Sequence, residues 1–366
     1  MKANLYNLNL KFKNTFKSIE KGLQSTFDKS DFILGNKVTE LEEKISNFTS
    51  TSYTSCVGNG TDALIFSLKY LSERNPNKKN IITTPLSYLA STSSIILTGL
   101  NPIFCDIDNS LNLDPKKVEE TIDENTLAVL FVHYSGNPTN IDKIRKVCEN
   151  HNIFLIEDCA QSFGSKLNNE FSGKFGFSGC VSLHPLKTLS CAGDGGFIMT
   201  QDHNFKKYLN YARNHGHKNR DDIEFWSFNS RLDSLQAAIA LNQFSWFIEE
   251  LKVRRAQYLI YKKQIDSKFF PRIDINAEHS FNWLVLLIDN RSDLQAKLFD
   301  NNIETKIHYP KLINEMKPFK EKGSTTNQNL KYANNISKKI LSLPIGSHLS
   351  DDVILYICDL IKKFSD

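Results

Sequence analysis

The chain has 366 residues, 40% hydrophobic and 23% charged, with 45 Lys and Arg against 41 Asp and Glu for a formal net charge of +4. This is the composition of a globular protein long enough to bury a sizeable core without staples. The basic residues are scattered among acids, which reads as solvated faces and excludes a nucleic-acid footprint.

In chain order, short β-rich runs alternate with helical stretches. Residues 52–58 (SYTSCVG) read as a strand, and 61–73 (TDALIFSLKYLSE) as a helix with apolar positions three and four apart. Strands follow at 80–85, 101–108, 126–136 and 153–160, separated by helices at 89–99, 114–122 and 140–152. Two more strands, 179–185 (GCVSLHP) and 195–200 (GGFIMT), complete the series. The βα rhythm and the continuous Val/Ile/Leu/Phe runs imply an α/β fold with a mostly parallel sheet buried on both faces. A long helical segment without Pro or Gly spans 230–266. Beyond it 281–290 reads as a strand, and 290–302 and 350–364 as helices of a smaller α/β part.

Several function classes find no support. There is no GxGxxG after a strand, no GxxxxGK[ST] and no HExxH. Seven cysteines, with no CxxC and no Cys/His spacing suited to zinc, predict no metal. Several (Cys105, Cys159, Cys180) lie in apolar runs and read as core hydrophobes in a reducing compartment. The first residues lack a continuous apolar core, and no run of about 18 apolar residues occurs. A cytoplasmic protein without membrane or nucleic-acid partners is expected.

Three features differ from ordinary core. Gly58-Asn59-Gly60 ends a strand and Thr61 opens a helix, a corner suited to an anion, although Thr61 could simply cap the helix. Asp158 ends a buried strand, where a carboxylate needs a cation or donor; a turn or capping role is the alternative. Lys187 follows a strand ending in Ser182 and His184 with Pro185 between. A desolvated amine there could form an imine, whereas an isolated loop lysine would be solvated. Together the three fit pyridoxal 5′-phosphate, which takes a lysine, a carboxylate facing its ring nitrogen and an anion site. Tyr88 is placed to offer an aromatic face. Gly193-Asp194-Gly195-Gly196 reads as a tight turn beside that site.

The stretches GNGTDAL, IITTPLSYLASTSSIILTGLNPIFCDID, LIEDCAQSFGS, SLHPLKTLSCAGDGG, NSRLDSLQAAI, IETKIHYP and SLPI resemble, in order, the DegT/DnrJ/EryC1/StrS family of pyridoxal phosphate-dependent sugar aminotransferases. The resemblance runs from roughly residue 30 to the C-terminus. It implies fold type I: a large domain (1–245, N-terminal helical segment included) around a mostly parallel seven-stranded sheet, and a small C-terminal domain (246–366). It implies that Lys187 forms the Schiff base and moves the proton, and that Asp158 keeps the ring nitrogen protonated. Gln161 would sit near the ring's 3-oxygen, and Tyr88 would stack on the ring. Gly60, Thr61 and Ser182 would bind the phosphate, with Asn229 reaching it from the neighbouring subunit of a homodimer.

The implied reaction is ping-pong transfer of an amino group, with L-glutamate as the expected donor, to a nucleotide-linked keto sugar in surface glycan biosynthesis. A small phosphorylated ketone such as dihydroxyacetone phosphate is the alternative acceptor, and a non-catalytic cofactor-binding regulator a second alternative. The chain departs from the family at Thr188-Leu189-Ser190 and at Lys311–Glu315, which leaves the acceptor open. His184, His308, Tyr309 and Arg213 are the candidate substrate residues. The Arg213–Asp222 loop could equally be a solvated surface.

Overall fold

A computed structural model of the chain describes residues 1–322 and 329–364. Its central sheet uses β1 (Tyr53–Val57), β2 (Asn80–Thr83), β3 (Asn101–Phe104), β4 (Thr126–Val132), β5 (Phe154–Asp158), β6 (Ser178–Ser182) and β7 (Gly196–Thr200). Their spatial order is β1-β7-β6-β5-β4-β2-β3. Every residue of β4 is buried, as expected of an apolar run covered by helices on both faces. The pairs from β6 through β5, β4 and β2 to β3 are parallel. The strand β7 runs antiparallel to both neighbours, because the loop after β6 returns along the sheet without a crossover helix.

Strands β1, β2, β4, β5 and β6 therefore end at one edge, where ligands of parallel α/β sheets bind. Gly58-Asn59-Gly60, Asp158 and Ser182 all lie on it. The closeness of the backbones there is set by glycine. A Cβ on Gly196 would lie 2.6 Å from the Asn59 carbonyl oxygen and 2.8 Å from the Gly60 nitrogen, and one on Gly60 would lie 2.9 Å from Ser182 Cβ.

Helix α1 (Leu8–Lys29) packs along a 31-residue helix, Ser234–Gln264, as does α2 (Asn36–Thr49). The long helix crosses residue 245 without a break, so the boundary expected there falls inside one continuous element. Its Phe244 and Phe247 join the core under β6 and β7, while Tyr261 joins a second core of Leu284, Leu286, Leu294, Leu298, Leu343 and Ile357. That second core belongs to an antiparallel pair, Leu284–Leu287 with Ile340–Leu343, carrying helices Arg291–Asp300 and Asp351–Phe364. The first residues go with this C-terminal layer and not with the central sheet. The Ala3 N–H donates to the Asn302 carbonyl, its carbonyl accepts from the Glu304 N–H, and its side chain is buried in the second core. Among the described residues no helix is long and apolar enough to cross a membrane.

Gly196→Ala tests the close approach. Overpacking against backbone costs about 1–3 kcal/mol, so urea unfolding is expected to show a loss of that size, and an unchanged midpoint would contradict the geometry.

Candidate active site

The anion corner forms where α3 (Gly60–Arg74) starts. Asn59 is the N-cap, its Oδ1 accepting from the Asp62 N–H at 2.9 Å, so Thr61 lies in the first turn and is not itself the cap. The first-turn N–H groups of a helix lack partners within it, and the Asn59 cap takes only that of Asp62. The corner is braced from behind. Ser230 Oγ accepts from the Gly58 N–H at 2.9 Å and donates to Asp62 Oδ2 at 2.6 Å. Burial raises the Asp62 pKa, opposed by its bonds to Ser230 and Asn59. Ser182 faces Gly60 across the gap.

Asp158 is 6% exposed and is held by two donors. Ser91 Oγ donates to Oδ2 at 2.7 Å, and the Ala160 N–H to Oδ1 at 3.1 Å. Ser91 comes from α4 (Leu89–Leu97), whose N-cap residue is Tyr88. Tyr88 is 58% exposed, and its ring lies 6.0 Å from that of Tyr309. Gln161 Oε1 accepts from the Ser135 N–H at 2.5 Å, and its Nε2 reaches the Tyr309 hydroxyl at 3.5 Å. The amide is therefore oriented by β4's following turn on one side and by the small layer on the other.

Lys187 sits in a turn closed by its own N–H donating to the His184 carbonyl at 2.8 Å. Burial lowers its pKa below the ordinary lysine value, and the Asp158 carboxylate opposes that shift. The two groups thus sense each other across the edge of the sheet. His184 is exposed, and its Nδ1 accepts from the Leu186 N–H at 3.3 Å. Burial, then the Lys187 charge, lowers its pKa.

His308 stacks on Trp283 with centroids 4.1 Å apart, and its Nδ1 lies 2.8 Å from Ser342 Oγ. Burial first, then Lys306 and Lys187, pushes its pKa down to about 4, leaving a neutral ring. Tyr309 is held as a neutral phenol because burial, then Asp158, Tyr6 and Tyr88, raises its pKa.

These contacts link Tyr88, Gln161, His308 and Tyr309 to one another, the charges of Lys187 and Asp158 interact, and Ser182 meets Gly60 at the neighbouring strand ends. Asn229, expected to reach the site of a neighbouring subunit, is exposed and bridges Asn214. One expected residue lies elsewhere. Arg213 does not present its guanidinium to a ligand: Nη1 donates to Glu42 Oε1 at 2.5 Å and to the Cys56 carbonyl at 2.9 Å. The partly buried carboxylate of Glu42 draws it into the framework. Sequence reasoning missed Ser91, Ser135 and Trp283. It also missed the His133–Glu157 pair (2.8 Å), behind Asp158, whose carboxylate accepts three further N–H groups from Gly173, Phe175 and Gly176. An acid next to Asp158 in FLIED was the available signal.

A sequence profile of the DegT/DnrJ/EryC1/StrS aminotransferase family matches residues 14–362. The chain belongs to that family. The aminotransferase is 32% identical over 344 residues to the UDP-2-acetamido-2-deoxy-3-oxo-D-glucuronate aminotransferase of Pseudomonas aeruginosa, covering 93% of this chain and 94% of the relative. It is 30% identical to a pleiotropic regulatory protein of Geobacillus stearothermophilus, covering 100% and 99%. The solved structure of S. venezuelae DesV, in complex with a ketimine intermediate, superposes with a TM-score of 0.93 at 24% identity, over 99% and 98% of the two chains. It shares the fold. The chain is a pyridoxal phosphate-dependent aminotransferase.

The pocket fits that cofactor on its own geometry. The glycine at the start of α3 lets Ser182 pack against Gly60, beside the first-turn N–H groups of that helix. The Asp158 carboxylate has only neutral donors, and the Lys187 amine makes no ion pair among the described residues.

Acidification tests the small-layer wall. Between pH of about 6.5, the ordinary histidine value, and the folded value of about 4 for His308, the unfolded chain binds more protons. Stability is therefore present above about 6.5 and is lost as pH falls toward 4. His308→Asn is expected to flatten that part of the Tm-against-pH curve, leaving the residual slope to His279, His348 and His184, whose pKa values burial also lowers.

Proposed function

We propose that the enzyme moves an amino group from L-glutamate to the keto carbon of a nucleotide-linked keto sugar, serving surface glycan biosynthesis in the cytoplasm. The observation that carries this reading is the placement of a desolvated Lys187 amine opposite the buried Asp158 carboxylate, with the Gly60-Thr61 corner beside them. The Pseudomonas aeruginosa relative, named for amination of a UDP-linked keto sugar, supports the acceptor class.

Pyridoxal phosphate supplies an electron-withdrawing ring that stabilises negative charge at the substrate carbon. Gly60, Thr61 and Ser182 would bind its phosphate, using the N-terminal N–H groups and dipole of α3. Asp158, fixed by Ser91 and Ala160, would hold a proton on the ring nitrogen. Gln161 would lie near the ring's 3-oxygen and Tyr88 would offer a face for the ring. Lys187 Nζ would hold the cofactor at rest and carry the proton during transfer, a task that its lowered pKa serves. Neutral His308 and Tyr309, with His184 at the rim, shape the acceptor side; as neutral groups they donate and accept hydrogen bonds from sugar hydroxyls. Leu312 and Ile313 of the unusual 311–315 segment are buried in the core, which leaves Lys311 and Glu315 as its exposed residues.

The working unit is a homodimer, with exposed Asn229 reaching the phosphate of the neighbouring subunit. Residues around the central sheet form a large cofactor domain, and the C-terminal layer a small domain that closes the acceptor side.

Supplying the holoenzyme with L-glutamate and either UDP-, dTDP- and GDP-linked keto sugars or dihydroxyacetone phosphate, then reading products by mass spectrometry, tests the acceptor. Amination of a nucleotide-linked sugar is expected; turnover of the small ketone alone would replace this reading, and turnover of neither would favour a regulator. Lys187→Ala is expected to lose the visible cofactor band and at least about 100-fold of the rate. Asp158→Asn is expected to keep the cofactor but lose about 100-fold or more. Mixing inactive Lys187→Ala with Asn229→Ala chains is expected to restore activity through hybrid dimers holding one complete site, and no recovery would place Asn229 outside the partner's site.

A further inference from the structure

Helix α1 turns Lys11, Thr15, Ile19 and Thr26 toward the protein interior. Lys11 is the exception among them in carrying a charge, and it is 5% exposed. Burying an ammonium costs several kcal/mol unless partners satisfy it. Among the described residues no carboxylate lies within ion-pairing distance of it. The carboxylate of the neighbouring Glu250 is engaged by Arg254 Nε at 2.8 Å and by the Ser347 N–H at 3.2 Å. The Lys11 amine instead donates to two carbonyls of one turn, that of Lys187 at 3.1 Å and that of Pro185 at 3.4 Å. It also lies 5.0 Å from the centroid of the Trp246 ring, whose face attracts a cation.

Those two carbonyls flank the residue that the proposed function makes the cofactor anchor. The turn is otherwise held by the Lys187 N–H on the His184 carbonyl and by the Leu186 N–H on His184 Nδ1, both of them bonds inside the turn. Lys11 ties it to a different helix. With the Lys187 N–H held by the His184 carbonyl and the Lys187 carbonyl held by Lys11, the peptide planes on both sides of its Cα are constrained, and the Cα–Cβ direction with them. Burial, with Arg254 adding to it and Glu250 and Cys191 opposing, draws the Lys11 pKa down to about 7; N–H donors remain in either protonation state, so the tether to both carbonyls persists.

We propose that Lys11 is a positioning residue for Lys187, its amine clamping the Pro185 and Lys187 carbonyls so that the Lys187 side chain leaves the turn in the direction that meets the cofactor. This rests on the reading of Lys187 as the covalent anchor. Lys11 acts through the turn, by way of the two carbonyls it holds.

The test uses the full-length chain, stripped of cofactor and reloaded with pyridoxal phosphate, as wild type and as Lys11→Met, Lys11→Arg and Lys11→Gln. Three readings are taken: thermal stability, the fraction of chains trapped at Lys187 by borohydride (peptide mass spectrometry), and the pH midpoint of the visible cofactor–lysine band. Lys11→Met keeps the apolar stem and loses the donor. It is expected to bind the cofactor, to trap several-fold less of it at Lys187, and to shift the band midpoint by on the order of one pH unit. Lys11→Arg, which keeps donors, is expected to stay close to wild type. A folded Lys11→Met protein with wild-type trapping and midpoint overturns the proposal, even if its Tm has dropped. Should that variant not fold, Lys11→Gln carries the comparison, because its shorter side chain cannot span both carbonyls; wild-type values there overturn the proposal equally. A wild-type chain that traps no cofactor at Lys187 would instead sink the assignment of the anchor itself.

Discussion

The site depends on a packing constraint at the carboxyl edge of the sheet, where three backbone segments approach closer than any side chain allows. Gly196 lies against the Asn59–Gly60 peptide, and Gly60 against Ser182. That contact fixes where α3 points its N-terminus and how far the strand carrying Ser182 runs before the chain turns to Lys187. The antiparallel β7 follows from the same constraint, since its first residue must slide between β1 and β6 at this level.

Around that frame, buried charge is managed by donors more than by counter-ions. Asp158 has a serine hydroxyl and a backbone N–H, while Glu157, one residue earlier and facing the opposite side of β5, has a histidine and three N–H groups. Alternation along a strand thus gives adjacent acids opposite tasks: one braces the loop before β6, the other faces the pocket. Neutral donors hold Asp158 in place without a countercharge of their own. The imidazole of His308 and phenol of Tyr309 stay uncharged for the complementary reason, that burial disfavours their ions.

Element order was legible because hydrophobic period and glycine punctuation are local properties: the strands ending at Val57, Asp158 and Ser182, and the long helix Ser234–Gln264, stand where the pattern puts them. Asp158 and the Gly60 corner stood out because each lies at a strand end, and Lys187 because it follows one, where a charge or a glycine is out of keeping with its neighbours. What escaped depends on tertiary contact. Arg213 in a basic loop reads as a ligand group, yet Glu42, far away in sequence, captures it. Ser91 looks like one of several polar positions of LASTSSIIL until Asp158 is placed beside it. Lys11 in a lysine-rich helix reads as a solvated face, and only the packing of α1 on Ser234–Gln264 turns it inward. The boundary at residue 245 falls inside Ser234–Gln264 because one helix serves both cores, so no composition change marks the passage between them.

The pairing of Ala3 with Ile303 has a consequence for how the chain is made. During synthesis, central strands and helices emerge with most of their partners close in sequence and can associate early. The first residues, by contrast, have their backbone partners at Asn302 and Glu304, and such long loops close late. The segment leading into α1 therefore waits until the second core has left the ribosome, making the completed N-terminus one of the last parts of the molecule to lock into place.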